Sequence, residues 1–348
     1  VYGFKSAENV SGKTVVIDPV PTRLWGTYYG GEGEENNFNG IVKTNNQFVY
    51  IGGYTTSLTN IATNGSFQPN LTFFRDAFIT KFDSQGQRIW GTYYGGSIFR
   101  AIDLDSNDNI YAVGETSSTT NIATLGAHQT TYNDWFDGIL IKFDSNGQRI
   151  WATYYGGNSG NDWISSIDVD TNNNIFCSGT TDSFTGISTA GAYNEAFHYI
   201  NMSWYDTFVV KFNSNGQRLF GTYYGGTDYD INSSIKVDNE NNFIITGYTR
   251  SIDGVGKTNS FQPNNGGGYD SYLAKFTNNG NLIWSTFYGG QGLDGHWGKN
   301  SIDIDENNSI YFYSSGTSTN NISTIGSYQE NLKGFANLYI VKFKPTGE

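Results

Sequence analysis

The chain has 348 residues and a net charge of −12, with 20 Lys and Arg against 32 Asp and Glu. That balance excludes the clustered cationic surface that nucleic acid and anionic membranes require. Forty-four Gly, five Pro and an aromatic fraction of 16%, with no helix-period apolar pattern, point to short strands and tight turns and exclude a helical fold.

No apolar run approaches the roughly 20 residues of a spanning helix, so membrane insertion is not expected. The lone cysteine, Cys177, has no partner for an internal disulfide. Its neighbours Ile175, Phe176 and Gly179 read as an inner strand, which makes it a buried and inert thiol.

Residues 1–22 form a lead-in that starts at Val1 without a Met or a signal peptide, as expected if an upstream region has been removed. The first strong element is residues 23–29 (RLWGTYY), released by Gly30 and Gly31. This phrase returns from Arg88, Arg149, Arg218 and Leu282, with Trp25, Trp90, Trp151, Phe220 and Trp284 about 61 to 69 residues apart. A fixed period of that size, rich in strand formers, is the sequence form of a β-propeller blade.

The third copy gives the internal order. Residues 163–170 (WISSIDVD) alternate and predict the innermost strand, and the Asn-rich residues 171–174 its hairpin turn. Residues 175–180 predict the second strand, and after a long polar stretch residues 206–212 (DTFVVKF) the third. The turn NSNG at 213–216 has Gly for its φ > 0 position, and 218–224 is the outer strand. Third strands recur from Asp76, Asp137, Asp270 and Asn337. Bulk on both faces of the outer strand (Trp90 and Tyr94 against Tyr93) places each sheet between two others.

The first outer strand precedes any complete unit, and no outer strand follows the last. Pairing residues 23–29 with the strand ending at Phe343 balances the count and removes both open edges. The expectation is an all-β, five-bladed β-propeller of four-stranded antiparallel blades, closed by the N-terminal strand pairing with the C-terminal blade. Blade limits fall at about 32–96, 97–157, 158–226, 227–290, and 291–348 plus 23–31. Such a wheel is expected to be monomeric.

These units resemble the bacterial β-propeller repeat family SBBP in the GTYYGG phrase at 26–31, the hairpin at 167–180 and the DAFITKF segment at 76–82. The likeness runs over residues 23–348, and residues 14–19 (TVVIDP) resemble the segment that precedes the propeller in this family. It implies a secreted or cell-surface bacterial protein, of a type whose sorting domain is cut away, with other domains in the same polypeptide. The family name implies seven blades where this sequence counts five. It carries over no catalytic residue.

The Asp-x-Asp-x-Asn pattern (Asp103/Asp105/Asn107, Asp168/Asp170/Asn172, Asp303/Asp305/Asn307) resembles the start of a calcium loop but lacks the sixth-position Gly and terminal Glu. Asx-type hairpin turns account for it better, and no metal or cofactor is expected. Asp76, Asp137, Asp206 and Asp270, with Gln68, Gln129, Gln262 and Gln329, recur from blade to blade and read as structural.

Function is sought where the repeats differ. The connections after each Gly-Gly and those between second and third strands share one face, the usual ligand face of propellers by analogy of fold. Its acidic and aromatic residues are Glu32, Glu34, Glu35, Trp135, Asp162, Trp163, Trp204, Tyr229, Asp230, Asp294, His296 and Trp297. Aromatic planes beside carboxylates suit a glycan, or else a protein ligand.

The expected function is therefore a non-catalytic binding module, with a rigid spacer as the alternative. A glycoside hydrolase using Asp162, Asp230 and Asp294 is the third reading. The histidines His128, His198 and His296 have no Ser or Cys motif beside them. His128 stands where other copies have Phe67, Tyr193, Phe261 and Tyr328, so packing is its expected role.

Overall fold

The computed structural model describes residues 23–36, 42–45, 47–198, 205–296 and 300–348, and every regular element among them is a β-strand. The lead-in lies outside these residues. The first sheet holds β1 (Glu35–Asn36), β2 (Val42–Thr44), β3 (Phe48–Thr55), β4 (Asp76–Asp83) and β5 (Arg88–Tyr94). The second holds β6 (Ser97–Leu104), β7 (Ile110–Thr116), β8 (Asp137–Phe143) and β9 (Arg149–Tyr155). In the third are β10 (Asp162–Val169), β11 (Ile175–Thr181), β12 (Asp206–Phe212) and β13 (Arg218–Tyr224). The fourth has β14 (Asp230–Val237), β15 (Phe243–Thr249), β16 (Asp270–Phe276) and β17 (Leu282–Tyr288), and the fifth β18 (Ser301–Ile304), β19 (Ile310–Gly316) and β20 (Asn337–Phe343). All pairings within the sheets are antiparallel between chain neighbours, save that both β1 and β2 pair with β3.

The sheets stack face to face, which is why β8, β11, β12 and β16 are buried along their whole length. The core is the set of seams between them. In one seam Trp90 and Tyr94 of the first sheet pack with Phe99, Ile110 and Phe143 of the second. In the next lies Cys177, fully buried, where burial pushes its thiol far above the ordinary range.

Each letter of the repeated phrase has a task. The tryptophan covers the glycine of the next sheet's outer hairpin: Trp90 on Gly147, Trp151 on Gly216, Trp284 on Gly347, with Phe220 on Gly280. Those glycines have φ of 78–89°, a conformation only glycine adopts cheaply, and a Cβ would meet the ring. The indole N–H of Trp90, Trp151 and Trp284 donates to a carbonyl of that same hairpin (Ser145, Ser214, Pro345).

The first tyrosine latches its own sheet, as Tyr93 to Ser57 O, Tyr154 to Ser118 O and Tyr223 to Ser183 O. The second reaches forward, from Tyr94 to Ile122 O, Tyr155 to Ile187 O, Tyr224 to Val255 O and Tyr288 to Ile322 O.

The second aspartate of the pattern caps its own hairpin in each copy. Asp105 accepts the N–H of Asn107 and Asn109, and Asp170, Asp238 and Asp305 cap their hairpins in the same way. The preceding aspartates reach across: Asp103 accepts Val169 N–H and Asp168 accepts Val237 N–H, both at 2.8 Å. Lys236, which breaks the pattern in the fourth sheet, pairs with Asp168 at 3.0 Å.

The closing pair expected from the strand count is not formed in the structure. Residues 23–31 belong to no sheet, and β20 ends a three-stranded one. Leu338 and Ile340 of β20 are 67% and 74% exposed, whereas their counterparts Ala77 and Ile79 are sealed beneath β5. Residues 23–31 are nevertheless seated on the first sheet as an outer strand would be. Trp25 covers Gly86, and Tyr29 donates to Ile61 O at 3.0 Å.

Candidate functional site

The first strand of the second, third and fourth sheets carries a β-bulge, between Phe99 and Ala101, Ile164 and Ser166, and Asn232 and Ser234. A bulge re-aims the extra side chain. In the second sheet that residue is Arg100, whose guanidinium carbon stands 5.7 Å from the Trp163 ring while its Nε pairs with Glu115 at 2.5 Å. Trp163 lies 5.1 Å from Tyr205, and Tyr205 lies 6.1 Å from Tyr229.

Further along, Tyr269 packs edge-on against Tyr248 at 5.7 Å and stacks flat on the exposed His296 at 4.4 Å and 8°. The Tyr229 and Tyr269 hydroxyls feel each other electrostatically, so the two half-buried groups lie near one another along a belt of rings from the second sheet to the fifth. Burial, aided by acidic and phenolic neighbours, raises Tyr205, Tyr229 and Tyr248 above the usual phenol value, so all three present neutral hydroxyls. Asp182, Asp228 and Arg250 supply polar groups beside these rings, Arg250 being paired with Asp228 at 3.5 Å.

Trp135 stands two residues before β8, just as Tyr205 and Tyr269 stand one residue before β12 and β16. It is 69% exposed and has φ +43°, a strained conformation for a bulky residue. The Tyr132 hydroxyl donates to its carbonyl, and the adjacent Phe136 bridges to Asn161 of the next sheet.

The other expected site residues divide. Asp162, Asp230 and Asp294 are buried, not displayed on the face. Each Oδ2 accepts the N–H of the second glycine before it (Gly157, Gly226, Gly290) and the hydroxyl of Ser183, Ser251 or Ser318. They lie in three separate seams, so they form no common acid–base cleft. Glu32 caps Leu58 and Thr59, and Glu35 accepts from Gly31 N–H, Thr55 and Ser57.

Trp204 and Trp297 lie outside the described residues. His128 packs between Tyr155 and Phe212. Among the described residues no group of three or more His, Cys, Asp or Glu is arranged to hold a metal ion.

Sequence reasoning missed Arg100, Tyr205, Tyr248, Tyr269 and Arg250. A signal for two of them existed: the position before the third-strand Asp or Asn carries Arg75, Phe136, Tyr205, Tyr269 and Ala336, a large side chain in four copies of five.

Residues 150–185 match the family model described as Beta-propeller repeat, SBBP. An uncharacterised WD repeat-containing protein of Acanthamoeba polyphaga mimivirus is 23% identical over 360 aligned positions, covering 92% of this chain. The chain spans about a quarter of that relative's length (25%). Similar solved structures include a protein of unknown function from Bacteroides caccae, at 9% identity and TM-score 0.38 over 77% of this chain and 69% of that one. Hydrazine synthase of Kuenenia stuttgartiensis gives 11% and 0.40 over 77% and 60%. A β-xylosidase/α-arabinofuranosidase from a compost metagenome gives 8% and 0.33 over 92% of each chain.

Proposed function

We propose that this chain, whose residues 150–185 match the SBBP beta-propeller repeat model, is a non-catalytic binding and scaffold module whose ligand is a glycan laid along the aromatic belt. The observation that carries this reading is the run of partly exposed rings from Trp163 to the Tyr269–His296 stack, bordered by Arg100, Asp182 and Arg250. Exposed apolar surface rimmed by polar groups marks a contact site, and ring faces stack on the C–H faces of sugars while hydroxyls find the flanking polar groups. The glycosidase reading loses its support, because its three carboxylates are sealed in different seams.

The test is a glycan array followed by titration calorimetry. Trp163→Ala and Tyr269→Ala are each expected to weaken binding about tenfold, or ~1.4 kcal/mol. Trp135→Gly should weaken binding while leaving the fold as stable or more so, because glycine accepts φ +43°. Binding unchanged in all three variants sinks the site, and no glycan bound by the wild type leaves the rigid-spacer reading.

The same reading takes the five sheets as five blades of one ring. Its support is a groove of about 750 Å³ along β20, lined by Ile322, Tyr328, Gln329, Leu338 and Ile340, in the place where the other sheets hold their outer strand. Residues 23–31 are the strand of matching sequence. We also read the setting as extracellular or cell-surface, on the strength of a composition rich in Gly and low in Lys and Arg.

A further inference from the structure

The Gly-Gly pairs that follow β9, β13 and β17 each thread between two buried aspartates. One opens a third strand, and the other opens the first strand of the next sheet or, at Asp294, bridges to Gly316 of its second strand. The pairs are Asp137 with Asp162, Asp206 with Asp230, and Asp270 with Asp294, all 1% exposed or less. A Cβ placed on Gly156 would meet both Asp137 and Asp162, and one on Gly289 both Asp270 and Asp294.

In each pair the Oδ2 atoms are well bonded. Asp137 and Asp270 accept from Gln129 and Gln262, and Asp206 accepts His198 N–H. Among the described residues Oδ1 of Asp137, Asp162, Asp206, Asp230 and Asp270 has no partner of good hydrogen-bond geometry, although the Thr181 and Thr249 hydroxyls lie close to Asp162 and Asp230. Five orphaned, fully buried carboxylate oxygens in three equivalent places need a common explanation, because a buried polar atom left unpaired is costly.

The remaining junctions act as internal controls. Between the first and second sheets Asp76 faces Ser97, and Gly96 N–H fills Asp76 Oδ1 at 2.8 Å, so no oxygen is orphaned. The fifth sheet opens its third strand with Asn337 instead of Asp. At the described sheet junctions a carboxylate oxygen is left without a donor where two aspartates meet, and the other such oxygen, Asp238 Oδ2, is paired with Lys275.

We propose that each of these three aspartate pairs holds one proton between its two carboxyl groups, clamping adjacent sheets while the proton is present and forcing them apart when it leaves. The protonated carboxyl supplies the O–H that the orphaned oxygen lacks. Loss of that proton to solvent leaves two negative charges in a dry seam.

The groups facing the pairs do not neutralise them. Around the first are the phenols of Tyr132, Tyr154, Tyr155 and Tyr223, the Thr181 and Ser183 hydroxyls, and the acidic Asp134. Around the second are Tyr223, Tyr224, Tyr272, Thr249, Ser251 and the acidic Asp228. The His198 ring there bonds to Asn194. Around the third are Tyr288, Tyr339 and Ser318, with His296 stacked on Tyr269 beside it.

Burial, reinforced by like-charged neighbours, outweighs the hydrogen bonds that pull the other way and holds Asp162 and Asp230 up at about 7, Asp137 and Asp270 at about 6, and Asp206 well above the ordinary range. The folded state therefore keeps protons that the unfolded chain has released by about pH 4. Stability is greatest at the acid end of that window and falls as pH rises toward 7.

The experiment is thermal unfolding of the intact chain between about pH 5 and pH 8, with infrared spectra of the folded protein recorded alongside. The wild-type midpoint is expected to fall by at least about 5 °C across that range, and a carboxylic-acid band is expected at the acid end. In Asp162→Asn/Asp230→Asn the amide N–H replaces the proton, so the fall should shrink to less than half and the band should weaken. Should the double variant fail to fold, the single Asp162→Asn and the wild-type spectrum give the same readout. A midpoint independent of pH, an equal fall in the variant, or no carboxylic-acid band overturns the proposal. So does stabilisation of the wild type by calcium chloride at about pH 5 with no carboxylic-acid band, since a divalent ion would then occupy the proton's place.

Discussion

Replacing Tyr154 by Phe should cost more than replacing Tyr155 by Phe, although the two rings are buried to the same degree at 2% and 1% exposure. The difference lies in the carbonyls they serve. The Tyr154 hydroxyl donates at 2.8 Å to Ser118 O, for which the described residues offer no second donor. The Tyr155 hydroxyl donates at 2.7 Å to Ile187 O, which also receives Arg218 Nη1 at 3.2 Å. Orphaning a buried carbonyl costs about 1–3 kcal/mol, whereas removing one of two donors costs about 1 kcal/mol or less.

The chain contains its own control in the fourth sheet. Phe287 stands where the other copies have tyrosine, and Asn265 Nδ2 donates to Ser251 O at 3.2 Å in its place. Burial holds Tyr154 at about 12, so it remains a donor throughout the neutral range. Urea unfolding followed by tryptophan fluorescence, with unchanged m, should place Tyr154→Phe about 1–2 kcal/mol below Tyr155→Phe. Equal midpoints, or Tyr155→Phe the weaker protein, would refute the carbonyl accounting.

His128→Phe should remove a loss of stability at acid pH. Burial and then Arg218 hold the imidazole down at about 4, so the unfolded chain binds its proton first and His128 by itself subtracts stability as pH drops from about 6.5 toward 4, against the gain from the aspartate pairs; melting curves of the two proteins that run parallel over that window would contradict this. For the ring, Thr27→Cys with Ile340→Cys should form a disulfide within one chain under mild oxidation. Ile79 faces Thr92, and Leu140 faces Thr153, at the equivalent positions of the first and second sheets. A bridge between chains, or none, would refute closure by residues 23–31.

The strands were legible because five copies vote on each position. In the third unit 206–212 matches β12, 175–180 stops one residue short of β11, and 163–170 misses β10 by one residue at each end. The latches were half legible: that Trp90 and Tyr94 share a face follows from period two, but their partners lie in another sheet and no periodicity names them. Asp162, Asp230 and Asp294 were misread for a related reason. They follow flexible Gly-Gly turns, where sequence does not say which way the first side chain of the strand turns. The N–H of Gly157, Gly226 and Gly290 decides it, inward. Closure was out of reach, because an inventory of strands says nothing about the angle between one sheet and the next. The aromatic belt depends on that angle too, which is why Trp163 was foreseen and Tyr205 was not.

The forward reach of the second tyrosine gives the molecule a polarity. Every sheet after the first takes a tyrosine hydroxyl on a loop carbonyl from the sheet before it, and the first takes one from Tyr29, while at Ile61, Ile122 and Ile187 the sheet's own arginine shares the carbonyl. Trimming from the C-terminus therefore leaves the remaining tyrosine ties in place, whereas trimming from the N-terminus removes one from the next loop with every cut.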